Sequence, residues 1–107
     1  MDQVEAVVRD KVLRFYESAR ESVPIRKVLL YGSHAKGRAT ERSDIDVAVV
    51  VDEPDHAKRI EITAKLFHAA FQVDPAIEPK CVFWDEYENH DEASILFEII
   101  DTGVEIV

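Results

Sequence analysis

The chain has 107 residues, 47% hydrophobic and 33% charged, with three glycines, four prolines and no low-complexity stretch. A domain of this size buries roughly 60 to 70% of the surface its unfolded chain exposes, so there is room for one core, and the composition excludes a disordered or fibrous chain. Twenty-two acidic residues against thirteen basic ones give a formal charge of −9. That charge repels a polyphosphate backbone and sets long nucleic acid aside as a partner, while it suits a solvated surface or an acidic face for a basic protein.

The start, Met1-Asp2-Gln3-Val4-Glu5, has neither the basic residues nor the apolar run of a signal peptide, and no stretch is long enough to span a bilayer. A cytoplasmic protein without membrane contact is expected. From Asp2 to Ser22, apolar residues recur at Val4, Val8, Val12, Phe15 and Ala19, which predicts an amphipathic helix with Arg9, Arg14, Glu17 and Arg20 largely elsewhere. Pro24 interrupts it. Val28 to Tyr31 is a short apolar run ending at Gly32, as expected of a strand buried on both faces.

After a polar segment from Ser33 to Arg42, the β-branched stretch Ile45 to Val51 predicts a second buried strand, closed by Asp52-Glu53-Pro54-Asp55. Ile60, Ala64, Phe67 and Phe71 have helical spacing, so His56 to Phe71 reads as a crossover helix with that side laid on the sheet. Ile77 to Trp84 is the third strand; Pro79 argues for an edge position or a local irregularity, and Cys81 reads as a buried strand residue without redox chemistry. Asp85 to Glu88 forms one helical turn. Ala93, Leu96, Phe97 and Ile100 mark a last helix, stopped at Gly103 by a left-handed cap, and Val104 to Val107 adds a short strand. This alternation predicts an α/β fold, a small mixed sheet flanked by helices.

The chemistry lies between the first two strands. Gly32 lets the backbone turn sharply and approach a ligand, and Ser33 is placed to cap a short helix whose N-terminus would receive phosphate. Lys36 and Arg38 either add positive charge near a triphosphate or are simply solvated. Asp44 and Asp46 stand two residues apart at the start of a strand, so both carboxylates point to the same side. Two like charges so held call for cations. Hard oxygen ligands suit Mg²⁺, and two such ions can clamp the attacking and leaving oxygens of a phosphoryl transfer. His34 reads as an exposed histidine, while His56, His68 and His90 lack metal-ligand spacing. Trp84 and Tyr87 read as core-covering aromatics that could instead stack on a base.

The order Gly32-Ser33, a short basic stretch with Gly37, then Ser43-Asp44-Ile45-Asp46 resembles the signature of the polymerase beta type nucleotidyltransferase superfamily. The chain from Val28 to Ile106 resembles its minimal, single-domain branch. The resemblance implies a palm-like nucleotidyltransferase fold as one domain over residues 1–107, ATP or another nucleoside triphosphate as donor, and two Mg²⁺ ions. It also implies a nucleotide held by Gly32, Ser33, Ser43, Lys36 and Arg38, with Asp44 and Asp46 as catalytic metal ligands. A third acidic ligand on the next strand is matched by Glu78, with Asp74 competing.

The length leaves no residues for an acceptor-binding domain, so the acceptor is expected on another protein or subunit. Minimal nucleotidyltransferases are often paired with a HEPN-type toxin, and the resemblance implies an antitoxin that adds AMP to such a toxin. The alternative is a catalytically silent module that neutralises its partner by occlusion. Transfer to a small molecule such as an aminoglycoside would call for an extra acceptor domain. Base preference and homo- or hetero-oligomeric state stay open.

Overall fold

The computed structural model describes residues 4–40, 42–90 and 94–107. In chain order the elements are α1 (Ala6–Ala19), β1 (Ile25–Tyr31), β2 (Ile45–Val51), α2 (Arg59–Val73, entered through a 3-10 turn at His56–Lys58), β3 (Ile77–Phe83), α3 (Trp84–Glu88), α4 (Ile95–Thr102) and β4 (Val104–Glu105). The four strands form a mixed sheet in the order β3-β2-β1-β4. β1 runs antiparallel to β2 and β4, and β2 runs parallel to β3 with α2 as the crossover. β3 lies at the edge, where Pro79 costs no ladder hydrogen bond with a further strand.

Strand alternation divides the core into two layers. Val28, Leu30, Val47, Val49, Val51, Ile77 and Phe83 face α1 and α2, meeting Val8, Val12, Phe15, Ile62 and Leu66. Leu29, Ala48, Val50 and Val82 face the other way, under Ile99 of α4 and the half-buried Trp84 and Tyr87 of α3. Those two rings stack on each other with centroids 5.4 Å apart, and the Arg26 guanidinium lies 4.0 Å over Trp84, so both aromatics serve the second layer. Cys81 is a buried free thiol whose pKa burial pushes up. Among the described residues, no helix is long and apolar enough to cross a membrane.

Three local expectations are corrected. The side of α2 that covers the sheet carries Ile62, Leu66, Ala69 and Ala70. Ile60 and Phe71 are instead 85% and 66% exposed, and Phe67 is 37% exposed. Segment 59–73 carries two apolar faces at helical spacing, and the one with adjacent alanines wins because it lets the helix approach β3 and α1 closely. Leu66→Ala should therefore cost about 2–5 kcal/mol of stability, whereas Phe71→Ala should stay within about 0.5 kcal/mol, as urea unfolding would measure.

Gly103 is not left-handed: its φ is −73° and its ψ 156°. Glycine is needed there for space, since a Cβ would lie 2.4 Å from the Ile99 carbonyl oxygen and 3.3 Å from that of Leu30. After Gly32 no helix forms. The segment makes one tight turn, in which the Lys36 N–H donates to the Gly32 carbonyl at 3.2 Å and the Arg38 N–H to that of Ser33 at 2.9 Å. Gly37, at φ +70°, reverses the chain before a second turn can follow. Met1–Gln3 and Ala93, expected in the first and last helices, lie outside the described residues.

Candidate active site

Strand register assembles the site. Tyr31 pairs with Asp46 across β1 and β2, and Asp46 pairs with Glu78 across β2 and β3. The three side chains thus stand in a row on one face of the sheet, with Asp44 just before β2. Burial, then the Asp44 charge, raises the Asp46 carboxyl above the ordinary carboxylate range. Glu78 is raised chiefly by the Asp44 charge, with desolvation and the Asp46 charge adding to it. Burial and the same two row carboxylates, Asp46 and Glu78, raise Tyr31. The acids therefore lie near enough for their charges to act on one another.

Gly32 makes this convergence possible. It adopts φ +75°, and a Cβ on it would meet the Asp46 Oδ2 at 2.5 Å, so the carboxylate occupies the space a side chain would fill. Beyond it the N–H groups of Ser33, His34 and Ala35 have no backbone acceptor among the described residues, which leaves three donors on one turn beside the carboxylates.

The loop closes on itself through hydrogen bonds between its two ends. The Ser43 Oγ accepts from the Thr40 N–H at 2.9 Å, and the Ser43 N–H donates to the Thr40 carbonyl at 3.1 Å. The His34 Nε2 reaches the Ser43 carbonyl at 3.4 Å, so this half-buried histidine ties the two halves of the loop together. Lys36 and Arg38 are exposed, and the Lys36 ammonium lies 4.0 Å from the Glu98 carboxylate of α4.

A cleft of about 380 Å³ wraps round the edge strand β3, lined by Tyr31, Asp46, Glu78 and Lys80 on the face of the row and by Thr63, Phe67, Pro79 and Cys81 on the α2 side. Tyr31 and Lys80 were not singled out from the sequence. Lys80 shares the face of Glu78 two residues on, a signal available once β3 is recognised; Tyr31 needed the β1–β2 register. Asp74 lies elsewhere, lining a hollow on the other side of the loop with Lys11, His34 and Ser43. Its carboxylate accepts from the Lys11 ammonium at 2.6 Å and from the Ala76 N–H at 2.8 Å, which holds its pKa below the usual range. A depressed carboxyl adds stability that is complete above the unfolded value and lost as pH falls through the folded one. The stability gap between wild type and Asp74→Asn, from urea midpoints, should accordingly shrink as pH drops below about 4.

Among the described residues, no three His, Cys, Asp or Glu side chains form a ready-made metal cage. The donor set nonetheless fits Mg²⁺, which takes one or two protein carboxylates and completes its octahedron with phosphate oxygens and water. The mutual repulsion of Asp44, Asp46 and Glu78 is what a dication relieves.

A family model described as "Polymerase beta, Nucleotidyltransferase" matches residues 15–107, and the chain belongs to that family. Among solved structures it is similar to a candidate nucleotidyltransferase of Sulfolobus solfataricus, with a TM-score of 0.64 and 16% identity over 92% of this chain and 78% of that one. It is also similar to a toxin–antitoxin structure with AMP-PNP, with a TM-score of 0.53 and 23% identity over 92% and 72% of the two chains. A third similarity is to the complex of a tri-AMPylated Shewanella oneidensis HEPN toxin with an MNT antitoxin, at TM-score 0.49 and 21% identity over 94% and 70%. What the first two share with this chain is the fold. No curated protein matches the chain.

Proposed function

We propose that this chain transfers a nucleoside monophosphate, AMP from ATP, to a hydroxyl of a partner protein, and so acts as the antitoxin of a HEPN-type toxin. The observation that carries the reading is the row Tyr31, Asp46, Glu78 with Asp44 against it, directly below a glycine turn that presents free N–H groups. Family membership and a fold shared with a protein solved in a toxin–antitoxin structure with AMP-PNP support it. The whole of residues 1–107 then works as one minimal nucleotidyltransferase domain.

In this reading Asp44 and Asp46 hold Mg²⁺, and Glu78, not Asp74, is the third carboxylate, because Asp74 is occupied by Lys11 and Ala76. Bound Mg²⁺, as two ions, would supply the positive charge that neutralises the triphosphate and the developing pyrophosphate. The N–H groups of the Gly32–Ser33 turn grip the phosphates. Lys36 and Arg38 lend charge from the loop rim, and Ser43 holds the turn that carries Asp44. The acceptor oxygen bonds to the α-phosphorus, the bond to the bridging oxygen breaks, and pyrophosphate leaves. Glu78, the third carboxylate, receives the hydroxyl proton as general base.

Incubation of the purified chain, a HEPN-type toxin, α-labelled ATP and Mg²⁺ tests this. Label should move to the toxin and be lost with the Asp44→Asn, Asp46→Asn double variant. Full neutralisation of the toxin by that double variant at equal expression would overturn the reading in favour of occlusion. A ligand that binds only the folded state stabilises it by about 2.7 kcal/mol at a hundredfold excess over Kd. ATP with Mg²⁺ should therefore raise the melting temperature by several degrees, and either alone by less, as a thermal melt would show.

A further inference from the structure

Resting on the proposed transfer reaction, we infer that Lys80 is the acceptor-recognising residue of the site and selects a hydroxyl that has an anionic group, a carboxylate or a phosphoryl group, beside it. Register fixes its place. Tyr31 pairs with Asp46 and Asp46 with Glu78, whereas Leu29 pairs with Ala48 and Ala48 with Lys80. Lys80 therefore stands on the same face of the sheet as the carboxylates, roughly 6 to 7 Å further along the strands. Because β1 runs antiparallel to β2, the Gly32 turn follows Tyr31 at the opposite end. The carboxylate row stands between the turn and the lysine.

In-line displacement gives the two ends different tasks, since the attacking and leaving oxygens lie on opposite sides of the phosphorus. With the pyrophosphate gripped by the N–H groups of the Gly32–Ser33 turn, the acceptor oxygen comes from the Lys80 side, where Glu78 also stands. The nucleoside of the donor carries no negative charge of its own. The anion that Lys80 meets there belongs to the acceptor.

Lys80 is free to receive it. The residue is exposed and lines the cleft with Tyr31, Asp46 and Glu78. It forms no ion pair or side-chain hydrogen bond with a described residue, although Glu78 is close by on its own strand face. Arg59, which lines the same cleft, is instead engaged by the Cys81 carbonyl at 2.9 Å and the Glu86 carboxylate at 2.6 Å. An ammonium donates hydrogen bonds, accepts none, and bonds most strongly to an anion. An anionic group entering a cleft walled by Asp46 and Glu78 is repelled unless a cation receives it, so Lys80 decides which hydroxyls are admitted.

The test follows label from α-labelled ATP with Mg²⁺ to the purified HEPN-type toxin, at varied toxin concentration, for wild type, Lys80→Met and Lys80→Arg. Lys80→Met should raise the KM for toxin about tenfold or more with kcat within about threefold, and Lys80→Arg should recover most of the loss. The melting-temperature rise with ATP and Mg²⁺ should be the same in all three proteins. Prior treatment of the toxin with phosphatase tells the two anions apart: it abolishes the difference between wild type and Lys80→Met if a phosphoryl group is read, and leaves it intact if a carboxylate is. An unchanged KM in Lys80→Met overturns the inference and spares the transfer reading, because Lys80 is then a solvated residue of an edge strand. A smaller melting-temperature rise, or a fall in kcat at unchanged KM, places Lys80 on the donor nucleotide and overturns the inference too. No label with wild type sinks the transfer reading itself and this inference with it.

Discussion

Asp46→Asn should lower nucleotidyl transfer by at least 10²- to 10³-fold and leave the metal-free protein no less stable than wild type at neutral pH. The magnitude is that of removing one preorganised electrostatic group from a transfer site. The sign of the stability effect follows from the raised pKa. Burial and the Asp44 charge make the folded protein hold a proton at Asp46 more readily than the unfolded chain does. Stability from that site is therefore present at acid pH and lost as pH rises through the folded pKa, the reverse of an ordinary salt-bridged carboxylate. Asparagine removes the loss. Calorimetric melts from pH 4 upward should show a decline in wild type that is smaller in the variant and smaller in wild type with Mg²⁺. A variant that melts well below wild type at pH 7 would mean that the Asp46 charge is held by a favourable partner, and the repelling cluster would be the wrong description.

The same cluster shows how much of this site could be read from the residues in order. Asp46 could be placed on β2 and Asp44 beside its start, because the β-branched run from Ile45 to Val51 left no other element there. Pro79 marked β3 as an edge strand for a similarly local reason. Tyr31 and Lys80 were missed because their place depends on which residues of three strands stand abreast. That register comes from a shared hydrophobic pattern and from how the intervening loop closes, not from any one segment. The loop itself was misread as a helix start: Ser33 has a capping side chain, yet Gly37 turns left-handed after one turn, and His34 and Ser43 tie the loop to its own far end.

The fold was legible to a similar depth. Strands buried on both faces declared themselves as continuous β-branched runs, and α1 by its single apolar stripe. α2 did not, because Ile60-Ala64-Phe67-Phe71 and Ile62-Leu66-Ala69-Ala70 both fit a helical stripe and periodicity has no means of ranking them. The choice falls to packing distance, and the larger side chains stay outside.

Gly32→Ala should be the most damaging single exchange that leaves every charge in place. Alanine at φ +75° costs about 1–2 kcal/mol in backbone strain. The larger effect is displacement, because the new methyl would stand 2.5 Å from the Asp46 Oδ2, so the carboxylate or the turn must move. A shift of about 1 Å in a group that positions reacting atoms costs on the order of 10²-fold in rate. Gly37→Ala is the matched control: its φ of +70° imposes the same strain on the same loop, but at an exposed position beyond the turn. Transfer assays should show Gly32→Ala reduced about 10²-fold or more and Gly37→Ala within a few fold of wild type, with similar losses of melting temperature from backbone strain. Equal activity losses in the two variants would mean that strain alone disables the loop, and the close fit of Asp46 against Gly32 would have no special part in the chemistry.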